Sequence, residues 1–334
     1  MLGLQCTQSA IRAAAASKSG QILKVQARAE QKINKGTIGG EGIEDHKKAL
    51  TALKSVRESL KGSSRKVTLC LSPSLVYTVL VRLPKMHTGI KAAVRGELEA
   101  MLPDPIDTLN VHFTPLRSDA EGLRIAVNAV SADVIDEYAA LCKDAGLRLG
   151  HVTTAALSLG GMLKHVDTFL LINIEDPEPS IVVFYGGHPV DELLLSSTAG
   201  KSVIKEAEAL LEEYKEDGMT VQHVAVHGTK EVFEQIKDTF SSKRKASTKK
   251  KEMDRAVTVE HVLPNLKKTD LAWGGIIASS LGKGMDVRTN SARFSTAFIQ
   301  TVLGLVFFGA LGYFLWIVGG VQVQGMVREV LSVF

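Results

Sequence analysis

The side chains able to do chemistry are spread thinly along this 334-residue chain. Its histidines, among them His112, His151, His188, His223, His227 and His261, form no helical i, i+4 ligand pair. His223 and His227 are four apart but fall in a predicted strand, VQHVAVHG, where that spacing puts both on one face. This suits half-buried sheet residues better than a zinc pair. Cys6, Cys70 and Cys142 are far apart, odd in number and outside any CxxC or Cys/His spacing, so they read as reduced thiols. Glu175, Asp176 and Glu178 cluster in one loop with Pro177 and Pro179; the cluster is either a metal-binding turn or, as the prolines suggest, an ordinary solvated one. No GxSxG, Walker A or HExxH pattern occurs. No metal site is therefore expected.

The elements that would position these residues follow from periodicity. LGLQC, SAIRAAAA and QILKVQARAEQK read as a β-meander. Leu50, Leu53, Val56 and Leu60 mark an amphipathic helix over 44–61, and strands follow at 66–72 and 74–83. Ile90, Val94, Leu98 and Met101 have helical spacing, and Pro103 with Pro105 ends that helix before the strands LNVHFTPL and LRIAVNAVS. Ser131 is placed to cap a helix running to about Gly146, after which LRLGHVTTAAL leads away as an extended run. The pattern then restarts with TFLLINIE, PSIVVFYGG and HPVDELLLSS, the pair Gly186-Gly187 making a hairpin turn. A helix over 200–216, the strand VQHVAVHG and a helix marked by Val232, Phe233, Ile236 and Phe240 complete this second set. Residues 241–255 (SSKRKASTKKKEMDR) break the pattern with cations, either a solvated loop or a contact for anionic headgroups. VTVEHVLP is a further strand, and Thr269 or Asp270 can cap the helix LAWGGIIASSLG.

Composition sets limits. The chain is 45% hydrophobic, enough for a sizeable core and two subdomains, and a formal charge of +4 is too small to argue for nucleic acid. No charged residue occurs from 294 to 327, and 301–321 is almost wholly apolar. About 20 such residues cross a bilayer, so a single transmembrane helix is expected at 299–321. Lys283, Arg288 and Arg293 precede it against one Asp286, while Arg328 and Glu329 cancel beyond it, which puts the N-terminal body in the cytoplasm. The tail 322–334 repeats Val323, Met326, Val327, Val330, Leu331 and Phe334 at helical spacing. It either lies on the outer leaflet or pairs with a second copy or a partner's helix, an approach that Gly304, Gly309, Gly312 and Gly319 permit.

One stretch carries a family signature. Leu83-Pro84-Lys85-Met86, then Glu97 and Glu99, Met101-Leu102-Pro103, Ile106-Asp107 and the run Asn110 to Phe113 follow one another in order. That order resembles the PilM family, actin-like cytoplasmic proteins of type IV pilus assembly, as does the helix end Asp144-Ala145-Gly146-Leu147. The resemblance covers most of 2–282. A cytoplasmic actin-like body followed by one span is similar instead to GspL, the inner-membrane platform protein of type II secretion.

This resemblance implies an α/β, actin-like fold: two lobes with duplicated mixed sheets, flanking helices, a small inserted αβ subdomain and one C-terminal transmembrane helix. Expected boundaries are 1–81 for the start of lobe 1, 82–153 for the insert, 154–282 for the rest of the body and 283–298 for a juxtamembrane linker. The insert would meet partners through Leu83, Pro84, Glu97, Glu99 and Pro103. Those partners would be inner-membrane platform proteins and a cytoplasmic assembly ATPase, with the lipid bilayer itself and a homodimer as further associations, at the bacterial inner membrane.

Actin-like ATPases hold phosphates with two hairpin loops, each bearing an acid for the metal. In the first loop the family pattern falls on Gln5, Thr7, Gln8 and Ser9, so the acid is absent, and only Ser9 and Arg12 match. In the second, Asn173 stands where the acid belongs, and the Glu175, Asp176 and Glu178 turn opposes a triphosphate. Gly228-Thr229 and Gly274-Gly275 fall where such folds pass close to a base. The resemblance with these changes implies a degenerate cleft that holds no cofactor, where a working one would take ATP and Mg²⁺. The expected function is a membrane-anchored scaffold and pseudo-ATPase. The alternatives are an active actin-like ATPase driving assembly, or a cell-division membrane tether.

Overall fold

A computed structural model describes residues 1–19, 22–60, 62–85, 88–118, 122–163, 168–174, 178–221, 223–247, 258–261 and 285–286. These lie in one compact unit, Met1–Val287. The crossing helix expected at 299–321, the tail after it and the linker before it, except 285–286, lie outside the described residues. Among the described residues no helix is long and apolar enough to cross a membrane.

The chain opens with the expected meander of β1 (Leu2–Cys6), β2 (Ala10–Ser19) and β3 (Ile22–Lys32), followed by α1 (His46–Ser59) and β4 (Lys66–Leu71). Asp45 starts α1, its carboxylate accepting from Lys48 N at 3.0 Å, a cap worth about 1 kcal/mol. Ala49, Ala52, Leu53 and Val56 then bury one face of the helix. An insert follows: β5 (Tyr77–Leu83), α2 (Ile90–Met101), β6 (Leu109–Ser118) and β7 (Leu123–Ser131). The first set resumes with α3 (Ala132–Asp144), β8 (Arg148–Thr154) and α4 (Ala155–Met162). A second set repeats the plan as β9 (Phe169–Asn173), β10 (Ser180–Tyr185), β11 (His188–Leu194), α5 (Gly200–Glu216), β12 (His223–His227), α6 (Lys230–Ser247) and β13 (Thr258–His261). A two-residue strand, β14 (Met285–Asp286), returns to pair with β8.

Strand order gives the topology. The first sheet runs β14-β8-β4-β1-β2-β3 and the second β11-β10-β9-β12-β13. In each, an antiparallel three-strand meander is extended by strands parallel to its first member. Helices carry the chain between these parallel neighbours, as parallel pairing requires. This duplicated order, third strand outermost, is the actin-like arrangement expected from the sequence. Gly186 and Gly187, with φ of 58° and 74°, form the predicted hairpin between β10 and β11.

The insert forms its own sheet, β5-β7-β6, spanning 77–131. Beyond it, α3 buries Ile135, Tyr138, Leu141 and Cys142 in the core of the first sheet, and β8 pairs with β4. Part of the stretch expected as insert, 82–153, therefore belongs to the first lobe. One face of the small sheet (Val81, Leu83, Ile125, Val127) packs on Val94 and Leu98 of α2. Its middle strand β7 also places Ala126 in the core of the second sheet and Val130 in that of the first.

Three local readings change. The strand expected at 74–83 begins as a 3-10 turn, Pro73–Leu75, because Pro73 occupies its first position. The extended run expected through LRLGHVTTAAL ends at Thr154, whose hydroxyl accepts from Leu157 N at 3.0 Å and starts α4. Ala155 to Leu159 are all buried, so this helix has no polar face to give it a period. The cationic break expected from 241 is helical through Ser247, since Lys, Arg and Ala favour helix and nothing there terminates it.

Candidate functional site

The two loops expected to hold phosphate and the pair Gly228-Thr229 follow β1, β9 and β12. After β1 the chain reverses over Thr7, Gln8 and Ser9. Thr7 is buried, and its N–H donates to Ala10 O at 2.9 Å. Its hydroxyl accepts from Ser9 N at 3.3 Å and Ala10 N at 3.1 Å, donates to Ala10 O at 3.0 Å, and lies 3.2 Å from Ser9 Oγ. An anion cradle needs backbone N–H groups aimed outward. Here the N–H groups of Ser9 and Ala10 are engaged by the loop's own side chain.

Below this turn a row of polar side chains crosses the sheet in register: Glu30, Arg12, Gln5, Cys70 and Thr153 on β3, β2, β1, β4 and β8. Arg12, one of the two best matches in this loop, is 1% exposed and its Nε donates to Glu30 Oε1 at 3.0 Å. Gln5, where an acid was sought, is wholly buried, and neither its Oε1 nor its Nε2 has a hydrogen-bond partner. Cys70 accepts from Ser158 Oγ at 3.3 Å, and burial pushes its thiol up to about 12. Cys6 is likewise raised by burial and Cys142 reaches about 12 for the same reason, so all three thiols stay protonated at neutral pH.

Side chains hold the two described ends of the second turn, Asn173 and Glu178. Asn173 Oδ1 lies 2.8 Å from His227 Nδ1, while Asn173 Nδ2 donates to Glu178 O at 3.3 Å. The Glu178 carboxylate accepts from Ser74 N at 2.9 Å and Ser74 Oγ at 3.0 Å. One member of the acidic cluster thus bonds the 3-10 turn after β4. Its companions Glu175, Asp176 and Pro177 lie outside the described residues, as do Gly274 and Gly275. No group of three or more metal-ligating side chains occurs among the described residues.

Gly228 has a packing role: a Cβ there would fall 2.1 Å from Ile174 Cγ1. Thr229 O accepts from Phe233 N at 3.1 Å in the first turn of α6. Glu231's own N–H, and then the Thr229 hydroxyl, hold the Glu231 carboxyl below its usual range. Ser9 and Thr229 are exposed, whereas Arg12 is buried.

Of the expected partner residues, Pro84, Glu97, Glu99 and Pro103 are exposed. Leu83 is 3% exposed and belongs to the core under α2. The α2 surface carries Arg95, which pairs with Asp107 and sits 3.6 Å from Glu99. Of the two histidines expected as half-buried sheet residues, His223 is half-buried, while His227 is 5% exposed and paired with Asn173; burial lowers His112 from its ordinary value.

Sequence reasoning missed Glu192. It stands on β11 with Ser180 Oγ donating to Oε1 at 3.1 Å, and its Oε2 has neither solvent nor partner. Burial pushes the carboxyl up to about 7, with Glu178 and Asp191 adding to the rise. The signal was an acid inside an apolar strand, HPVDELLLSS, hidden by the Asp191 beside it.

Residues 3–160 match the family model described as type IV pilus assembly protein PilM. No curated protein matches by sequence. Among solved structures, one titled PilM-PilN type IV pilus biogenesis complex is similar over 84% of this chain and 98% of that chain, with a TM-score of 0.64 and 17% identity. That similarity establishes the fold. The cytoplasmic domain of EpsL, an inner-membrane component of the type II secretion system of Vibrio cholerae, is similar over 67% of this chain and 80% of its own, at 13% identity and a TM-score of 0.43. A Bacteroides thetaiotaomicron protein with an actin-like ATPase fold covers 83% of this chain and 95% of its own, at 9% identity and 0.44.

Proposed function

We propose, on the premise that this is a PilM-like protein of actin-like fold, that it is a membrane-anchored scaffold of a type IV pilus or type II secretion platform. It links a cytoplasmic assembly motor to membrane partners and does not turn over nucleotide. The observation that carries the non-enzymatic part is the first turn: the Thr7 hydroxyl takes the N–H groups of Ser9 and Ala10, and a neutral Gln5 replaces the acid that would hold a metal. The tether from Glu178 to Ser74 adds a carboxylate where a phosphate would need donors. The similar solved structure is a complex with PilN, which supports a platform protein as the partner class for this chain too. Anchoring is assigned to the apolar 301–321 stretch.

The test is calorimetry of the full chain in detergent with ATP and Mg²⁺, followed by a phosphate-release assay. No heat of binding and no release is the expected result. Micromolar binding with turnover would replace the scaffold with an actin-like ATPase.

A further inference from the structure

Charge is unevenly divided along the chain. Residues 1–76 hold 13 Lys and Arg against 5 Asp and Glu, whereas residues 77–240 hold 14 against 25. The formal +4 of the whole molecule hides this polarity.

The structure collects part of the excess around α1. A groove of about 460 Å³ between α1 and the end of β3 is lined by Lys32, Lys47 and Lys48, with no acid in its wall. Its other polar walls include Thr37, whose fully buried hydroxyl has no partner. Lys32, Lys47 and Lys48 are all exposed, although Lys48 also reaches Asp45 at 2.8 Å. On its other side α1 borders a second hollow of about 700 Å³, where Lys54, Arg57, Arg65 and Lys143 outnumber Glu58 and Asp144. The helix is thus a basic ridge between two basic hollows.

The occupant follows from what this lobe lacks. No Phe, Tyr or Trp occurs before Tyr77. Single-stranded nucleic acid is gripped by stacking bases on aromatic side chains, and protein interfaces concentrate their energy in Trp, Tyr and Arg anchors. The aromatic part of both devices is missing from this stretch, and of the two arginines beside α1, Arg57 is engaged by Ala145 O. What remains is diffuse attraction by Lys and Arg heads on flexible stems, the mode by which basic segments hold an anionic leaflet.

We infer that the α1 ridge, with Lys32, Lys47, Lys48 and Lys54, docks on the phosphate headgroups of an anionic lipid surface. The contact does not depend on the 301–321 stretch or on the scaffold reading.

Lysine acetylation footprinting of the full chain in nanodiscs tests this. On phosphatidylglycerol discs these four lysines react several-fold more slowly than on phosphatidylcholine discs, and raised salt removes the difference. Lys201 and Lys205, exposed on α5, react alike on both and serve as internal controls. The double change Lys47→Glu, Lys54→Glu weakens docking by about fivefold per cation removed, which exposes Lys32 and Lys48 again. Lys201→Glu with Lys205→Glu leaves the protection intact.

Three results would overturn the inference. Equal reactivity on neutral and anionic discs would show no lipid docking. Protection by inorganic phosphate alone would make the ridge a soluble-anion site. Protection that appears only on adding an acidic protein would make it a protein interface.

Discussion

Glu178 and Ser74, 104 residues apart, are joined by two hydrogen bonds to one carboxylate, at 2.9 Å from the backbone N–H and 3.0 Å from the hydroxyl. The pair ties the turn after β9 to the turn after β4, one from each repeat. Ser74 is exposed and Glu178 half-buried, so solvent screens the contact. A double-mutant cycle with Ser74→Ala and Glu178→Gln should give a coupling of about 1 kcal/mol by denaturant titration. No coupling would leave the contact without energetic weight.

Arg12 and Glu30 should respond asymmetrically. Glu30→Ala removes a partner from a buried guanidinium and costs about 3 kcal/mol, whereas Arg12→Met removes the buried charge itself and costs much less. Urea unfolding of both variants gives the comparison. Equal losses would show that the guanidinium gains little from Glu30.

Glu192 makes stability depend on pH in the direction opposite to a salt-bridged acid. Its carboxyl titrates near 7 in the fold against 4.5 ordinarily, so between those values the native state binds more protons than the unfolded chain. Stability from this group is therefore present below about 4.5, is lost as pH rises to about 7, and is level above that. Glu192→Gln should remove this slope and raise stability at pH 8 by about 1–3 kcal/mol. Thermal melts across that range, wild type against variant, read the difference directly.

Leu83 separates core from contact surface. Leu83→Ala should cost about 2–4 kcal/mol because it empties a packed site against Val94 and Leu98. Glu97→Arg with Glu99→Arg should leave stability within about 0.5 kcal/mol, both being exposed. If the α2 surface meets a platform partner, the second variant alone loses binding in a pull-down while still melting normally.

Most of the framework was legible from residue patterning. α1, α3 and α5 announce themselves because one face is apolar and the other wet, and the meanders by short apolar runs between turn residues. The misread parts are those where that contrast vanishes. α4 buries five successive residues, Ala155 to Leu159, and so shows no periodicity there, and the continuation of α6 was masked by lysines whose charge says nothing about backbone conformation. At the turn after β1 and the end of β9, the absence of acids at Gln5 and Asn173 was visible, but the Thr7 hydroxyl bonding back to Ser9 and Ala10 was not, since a Thr in a turn has several partners within reach. Leu83 was misassigned because a family signature marks positions without distinguishing those that touch a partner from those that hold the fold.

The strand β7 reaches three cores within six residues: Ile125, Val127 and Ala129 under α2, Ala126 in the second sheet and Val130 in the first. At about 3.3 Å per residue, roughly 13 Å of extended chain separates its anchors in the two repeats. A pull on the insert is therefore delivered to both halves of the molecule at once. Any hinge-like opening of one half against the other has to bend this strand or shear the ladders that clamp it on both sides. The insert works as a stiff rivet through the seam, and load carried across it reaches the whole body as a single piece.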